Sequence, residues 1–271
     1  MNRWSGGALG AGMILRSLLL GWAILFAPFA LAQSTAEVRF TEGLIRGFLT
    51  VREMNGTVIG NGELTQIPRG ERVTSHLVLR FKDGSTYDET VHFSQKNRFQ
   101  LLNYRLVQKG PVFKLPLDMR IDRSTGRAIV RYTDEDGKQQ VESERLELPP
   151  DLMNGMLPIL LKNIRPGTRQ TIVSLVAPTP KPRLVKLEIS PEGEAKFLAG
   201  GASRKATQYR IKVDIGGILG VLAPLVGKQP EDSHAWVLDG EAPAFVRLEG
   251  PLFMDGPIWR IETASPVWQG R

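Results

Sequence analysis

Apolar and polar residues alternate along most of this chain. Val185, Leu187 and Ile189 fall on one side of an extended segment, with Lys186 and Glu188 on the other. Tyr209, Ile211 and Val213 oppose Gln208, Arg210 and Lys212 in the same way. A period of two marks strands with one buried face and one wet face. The pattern predicts strands near 43–53, 57–67, 73–82, 86–95, 98–108, 115–122, 127–133, 138–148, 169–176, 183–189, 194–199, 205–214, 234–238, 244–249 and 258–263. Asn55-Gly56, Asn61-Gly62, Asp83-Gly84, Asp136-Gly137, Asp239-Gly240 and Asp255-Gly256 punctuate them. Such pairs supply the positive φ of tight hairpins, and strands joined by short turns are antiparallel. The expected fold is mainly β: a large curved antiparallel meander, a half-barrel or open barrel, with one or two short helices packed on its concave face.

One hairpin can be set in register. A three-residue loop, Asp83-Gly84-Ser85, places Phe81 opposite Tyr87, Leu77 opposite Val91 and Arg80 opposite Asp88. A two-residue turn would pair apolar residues with polar ones, because a one-residue slip flips a whole face. In the preferred register His76 and His92 become direct neighbours on the polar face, while Glu89 lands on the apolar face opposite Leu79.

Two internal segments leave the β pattern. In Pro149–Asn163, Leu152, Met156 and Leu160 recur at helical spacing, as do Met153, Leu157 and Leu161. Pro150 suits a helix start, and Pro158 either kinks the helix or begins a second one. The second segment is Ile215–Val226. It carries Ile218, Leu219, Leu222 and Leu225 on one helical stripe, but Gly216, Gly217, Gly220 and Pro224 leave a short helix and an apolar loop equally open. Both segments can cover a concave apolar face, either as plugs that complete a core or as lids over a ligand.

The N-terminal pattern differs from both. Arg3 and Arg16 are the charged residues of the first thirty-two, Ile14–Leu31 is almost wholly apolar, and Ala30-Leu31-Ala32 offers a small-x-small site. This predicts a cleavable signal peptide over 1–32 and a single β-rich domain over 33–271 that is periplasmic or secreted. An uncleaved membrane anchor is the rival reading, since the run is about long enough to span a bilayer; Pro28 and the Ala-x-Ala site favour cleavage.

Composition narrows the chemistry. The chain has no cysteine, so disulfides, thiolate metal sites and a lipid attached to cysteine are excluded. The formal charge of +7 falls to +5 once Arg3 and Arg16 are removed, a mild excess that permits peripheral contact with an anionic membrane. No clustered basic-aromatic motif points to nucleic acid. Gly-x-Ser-x-Gly, Ser-x-x-Lys, His-Glu-x-x-His and Gly-x-Gly-x-x-Gly are all missing, so no catalytic residue and no cofactor is assigned. Asp134-Glu135-Asp136-Gly137 resembles the opening of a calcium loop but lacks the remaining spaced acids, and reads as a hairpin turn. His76 and His92 are weak metal candidates, two ligands where a site needs three or four. Glu89 is unusual, because a carboxylate on an apolar face is costly unless paired or at a rim.

Leu148-Pro149-Pro150-Asp151-Leu152, opening a short helix, and the runs Glu249-Gly250-Pro251-Leu252 and Gly256-Pro257-Ile258-Trp259 follow the signal and the meander. Together these features resemble uncharacterised bacterial exported β-sheet proteins, domains of unknown function whose look is similar to the periplasmic lipoprotein-carrier half-barrels. The resemblance spans most of 37–264. It implies a curved sheet wrapped about helices and an apolar ligand groove. The expected function is non-enzymatic: binding or carrying a hydrophobic, lipid-like molecule, or assisting cell-envelope assembly. The expected ligand contacts are Leu152, Met153, Met156, Leu157, Leu160, Ile218, Leu219, Leu222, Leu225 and Glu89. A structural module docking an envelope protein and a carboxylate-dependent envelope hydrolase are the alternatives.

Overall fold

The hairpin turns of the sequence build one continuous sheet. The computed structural model of the chain describes residues 37–134, 136–199, 202–214 and 230–264, all within the unit Ala32–Arg271. The first half contributes β1 (Ile45–Glu53), β2 (Val58–Arg69), β3 (Arg72–Phe81), β4 (Thr86–Gln95), β5 (Phe99–Lys109), β6 (Leu117–Asp122), β7 (Arg127–Thr133) and β8 (Gln139–Arg145). After helix α1 (Leu157–Asn163) come β9 (Thr171–Ala177), β10 (Arg183–Ala199), β11 (Ala202–Asp214), β12 (Ser233–Leu238), β13 (Ala244–Gly250) and β14 (Trp259–Ala264).

Each half is an antiparallel meander, and β1 pairs with β14 to join them, Phe48 facing Ala264 and Glu53 facing Trp259. The strand order is therefore β8 through β1, then β14 back to β9. Among the described residues the sheet does not close by strand pairing. Its two edge strands, β8 and β9, are consecutive in the chain, so the segment between them is the one that must deal with the gap. Arg123 holds that segment's start by donating to the carbonyls of Pro149 (3.0 Å) and Leu148 (3.5 Å). Lys181, just before β10, pairs with Glu144 of β8 at 3.7 Å.

The inner face carries one hydrophobic core. Leu79, Val91, Phe93, Leu101, Leu106, Met119 and Val130 of the first meander are almost fully buried, as are Val173, Leu187, Ile189, Ala235 and Ile261 of the second. Helix α1 lies in the same core, with Ile159, Leu160 and Leu161 buried. Pro158 sits in the first turn of α1, where its missing N–H goes unmissed.

Four expectations are corrected. Asn61-Gly62 closes no turn: it lies inside β2, with Asn61 between Thr50 of β1 and Arg80 of β3. The segment before α1 is not helical: Pro150 opens a turn, and the chain from Asp151 to Asn154 runs beside β9, with a parallel bridge between Leu152 and Ser174. The strands expected at 183–189 and 194–199 are one strand, β10, that passes through a bulge between Pro191 and Gly193. The β3–β4 loop is Lys82-Asp83-Gly84, not Asp83-Gly84-Ser85. Gly84 (φ 87°) closes a turn on the Phe81 carbonyl, the Phe81 N–H reaches the Ser85 carbonyl, and the Asp83 carboxylate accepts from both the N–H and the hydroxyl of Ser85. The pairing moves by two residues, so faces are kept but partners change. His76 faces Thr90, His92 faces Thr74, Arg80 faces Thr86 and Glu89 faces Leu77.

Candidate functional site

The open edge at β9 and the inner face beside it gather polar side chains that the fold must accommodate. The segment Asp151–Met156 completes β9. Ser174 N–H donates to the Asp151 carbonyl (3.0 Å), and Met153 N–H donates to the Ser174 carbonyl (2.9 Å). The Asn154 side-chain amide then donates to the Val176 carbonyl (2.8 Å) and accepts from the Val176 N–H (2.9 Å). The edge of β9 would otherwise leave these groups unpaired and buried. On the same seam, the Ser174 hydroxyl donates to the Asp151 carboxylate (3.0 Å) and accepts from the Lys186 ammonium (2.7 Å). A hydroxyl between a lysine and a carboxylate is a grouping that can make a nucleophile. Here Ser174 is buried among the strands and its proton points at Asp151, so the trio ties the seam together.

Glu89 lies beside this seam, on the inner face between Leu77 of β3 and Leu106 of β5. Its carboxylate accepts hydrogen bonds from the phenols of Tyr104 (2.8 Å) and Tyr87 (3.0 Å). Gly155 covers it: a Cβ at that position would stand 3.1 Å from the Glu89 carboxyl carbon. The residue as a whole keeps some exposure, but its acid end is surrounded by protein. Burial raises the Glu89 acid above the ordinary glutamate range, and the Tyr104 and Tyr87 hydrogen bonds offset part of that rise. Both phenols are pushed well up, by burial first and by the Glu89 charge second. The arrangement binds a proton more tightly than a solvated glutamate does.

The other sequence-predicted residues divide into three groups. Leu152, Met153, Met156 and Leu160 are fully buried in the core, and Leu157 packs against it half-buried. Ile218, Leu219, Leu222 and Leu225 lie outside the described residues. His76 and His92 are not direct neighbours: His76 Nε2 meets Asp88 at 2.9 Å, and His92 Nδ1 meets the Thr74 hydroxyl at 3.0 Å. Among the described residues no three His, Asp or Glu side chains gather as metal ligands.

Sequence reasoning missed the Asp151–Ser174–Lys186 trio and a second buried polar cluster. Lys162 of α1 reaches the Glu42 carboxylate at 2.7 Å, and Glu42 is 3% exposed at its side chain. Gln66 also donates to that carboxylate, and the Gln95 amide oxygen accepts from the Glu42 N–H. Asn163 caps the same corner by accepting from the backbone N–H groups of Arg39 and Phe40. Nothing in the spacing of these residues announces the contact, because the partners lie on four separate segments.

The inner apolar face is not covered evenly. Leu175 of β9 and Val185 of β10 face each other, with Val213 of β11 diagonal to Val185, and all three are half-buried. Val173 and Leu187, in the row of Val213, and Ile189, two residues further along β10, are almost fully buried. The concavities described on the outer face are polar instead; one of about 310 Å³ is lined by Arg169, Gln170, Glu188, Ser190, Arg210 and Lys212.

The fold and this inner face define an open antiparallel β half-barrel with a helix in its core. No family model matches the sequence, and no curated protein matches it. Among solved structures, the chain is similar to a β-barrel-like protein of a domain of unknown function, DUF1849, from Brucella abortus. The TM-score is 0.46 at 10% identity, over 84% of this chain and all of that one. So distant a likeness assigns no residue a role.

Proposed function

We propose that this protein is a non-enzymatic, exported half-barrel that binds a hydrophobic, lipid-like molecule on the inner face of β9–β11. One observation carries the reading: Leu175, Val185 and Val213 form a contiguous apolar patch that the core leaves half-covered. A largely preformed apolar surface beside a packed wall suits a ligand with an alkyl chain. Leu152, Met153, Met156 and Leu160 then serve as the wall against which the patch is built, not as ligand contacts. Glu89, sealed under Gly155 by two phenols, belongs to that wall as well.

Export rests on the N-terminal pattern, and the mature protein begins at Gln33 in this reading. Mass spectrometry of the N-terminus checks this; a chain retaining Met1 in the membrane fraction defeats it. Binding is tested by native mass spectrometry of protein purified from its own host and by fluorescence of an apolar naphthylamine probe. Val185→Glu should abolish probe binding while leaving the β circular dichroism unchanged. Protein that carries no lipid and gives no probe signal would overturn the proposal.

A second reading has one observation of its own. β8 ends the sheet, and Val141 on it is 60% exposed. An edge strand can receive a partner's strand. A photo-crosslinking residue at Val141 in intact cells should yield a discrete adduct if this edge docks an envelope protein, and none if it does not.

A further inference from the structure

The hairpin of β10 and β11 extends beyond both strands that flank it. The ladder with β9 ends at Ile189, and β11 meets β12 only from Ala206. The pairs from Lys196↔Lys205 to Ala199↔Ala202 therefore stand beside no other strand among the described residues. The bulge between Pro191 and Gly193 lies at the root of this arm, where a bulge bends and twists a strand. Glu192 anchors that root by meeting Arg210 at 3.3 Å and His234 at 3.2 Å.

The two faces of the arm differ. Phe197 has the Arg247 guanidinium 4.8 Å from its ring centre, and Arg247 also lies over Trp236, so this face is seated on β12 and β13. Strand alternation and the register place Glu194, Lys196, Leu198 and Lys205 on the opposite face. Leu198 is 83% exposed, the most exposed of the large hydrophobic residues described. Lys196 and Lys205 are directly opposed, a like-charge pair that weakens a ladder. Glu194 pairs with Lys205, whereas Lys196 has no ion pair among the described residues. In water this face exposes a leucine and an ammonium, that of Lys196, with no counter-ion among the described residues, whereas Glu194 and Asp239 favour the charge of Lys205. An anionic bilayer relieves both at once, because the leucine enters the acyl boundary and phosphates supply the counter-ions that Lys196 lacks.

We propose that the face of the β10–β11 arm opposite Phe197 docks this protein on an anionic lipid bilayer, with Leu198 as the inserted side chain and Lys196 as the headgroup contact. The proposal stands independently of any ligand on the inner face. The test is sedimentation of the protein with phosphatidylcholine vesicles, with and without phosphatidylglycerol. Mass spectrometry should show that every variant begins at the same residue. The expected result is phosphatidylglycerol-dependent binding that falls as salt rises. Leu198→Asp should weaken it about tenfold or more, and Lys196→Glu should do so by a similar factor. Val185→Glu, which addresses the inner patch, should bind vesicles as the wild type does. Binding that ignores phosphatidylglycerol, or that survives both arm substitutions, overturns the proposal. So does a lipid-free dimer dissolved by Leu198→Asp, which would assign the arm to a second copy of this chain.

Discussion

The side chain of Asn154 stands in for a strand residue opposite Val176. Its amide makes both bonds that a β partner would supply, donating to the Val176 carbonyl at 2.8 Å and accepting from its N–H at 2.9 Å. Both residues are almost fully buried, so no water replaces a lost partner. Asn154→Ala should therefore leave a donor and an acceptor unmet and cost about 2–4 kcal/mol in denaturant unfolding. Asn154→Asp should be no better, because a carboxylate would face the Val176 carbonyl. A loss below about 0.5 kcal/mol, the level of an ordinary surface change, would show that the edge of β9 is hydrated after all.

The strands were legible because the inner face obeys a period of two over long stretches, as Tyr209, Ile211 and Val213 illustrate. The β3–β4 register was not, since shifts of two residues preserve every face. Hydrophobic pattern alone cannot choose between them, and the choice fell to Asp83 bonding Ser85. Leu152 and Met153 fit a helical stripe equally well as they fit a wall, because a segment buried on all sides has no polar face to betray its period. Glu89 was visible in the sequence as an acid out of place. Its two phenol partners were not singled out, although Tyr87 lies on the same strand face. The Glu42–Lys162 contact had no signal at all, as it joins a helix residue to a segment 120 positions away that belongs to no strand.

Gly155 is required twice over. Its φ of +66° is a left-handed conformation, and an added Cβ would run into Val91 Cγ2 as well as the Glu89 carboxyl. Gly155→Ala should destabilise by about 2–4 kcal/mol, from backbone strain and overpacking together. Gly137, also at positive φ but with open space around it, provides the comparison: Gly137→Ala should cost only about 1 kcal/mol. Equal losses at the two positions would show that packing over Glu89 contributes nothing.

The Lys162–Glu42 pair fixes the end of α1 to the segment before β1. Lys162→Met removes one partner and leaves a carboxylate 3% exposed with Gln66 as its side-chain donor. The expected cost is about 3 kcal/mol. Combining it with Glu42→Gln should restore much of that stability, since the stranded charge disappears. A double-mutant cycle with no coupling between the two would place the stabilisation elsewhere.

Glu89 gives the protein a stability that depends on pH in an unusual direction. Its folded acid titrates above the ordinary range because burial disfavours the carboxylate more than the bonds from Tyr104 and Tyr87 favour it. For a group raised on folding, the stabilising contribution is fully present below the unfolded value, about pH 4.3, and is lost as pH rises through the folded one. Glu89→Gln cannot ionise, and its amide oxygen can still accept from a phenol. The melting temperature of the variant relative to wild type should therefore climb as pH increases from that point and level off once wild-type Glu89 is ionised. Tyr104→Phe removes the shorter of the two bonds to the carboxylate, so it should move the titration of Glu89 further up. Carboxyl carbon chemical shifts followed by NMR through the same pH range read that displacement directly. A Glu89→Gln effect that is the same at every pH would mean that the carboxyl is solvated, and the enclosed site under Gly155 would have to be abandoned.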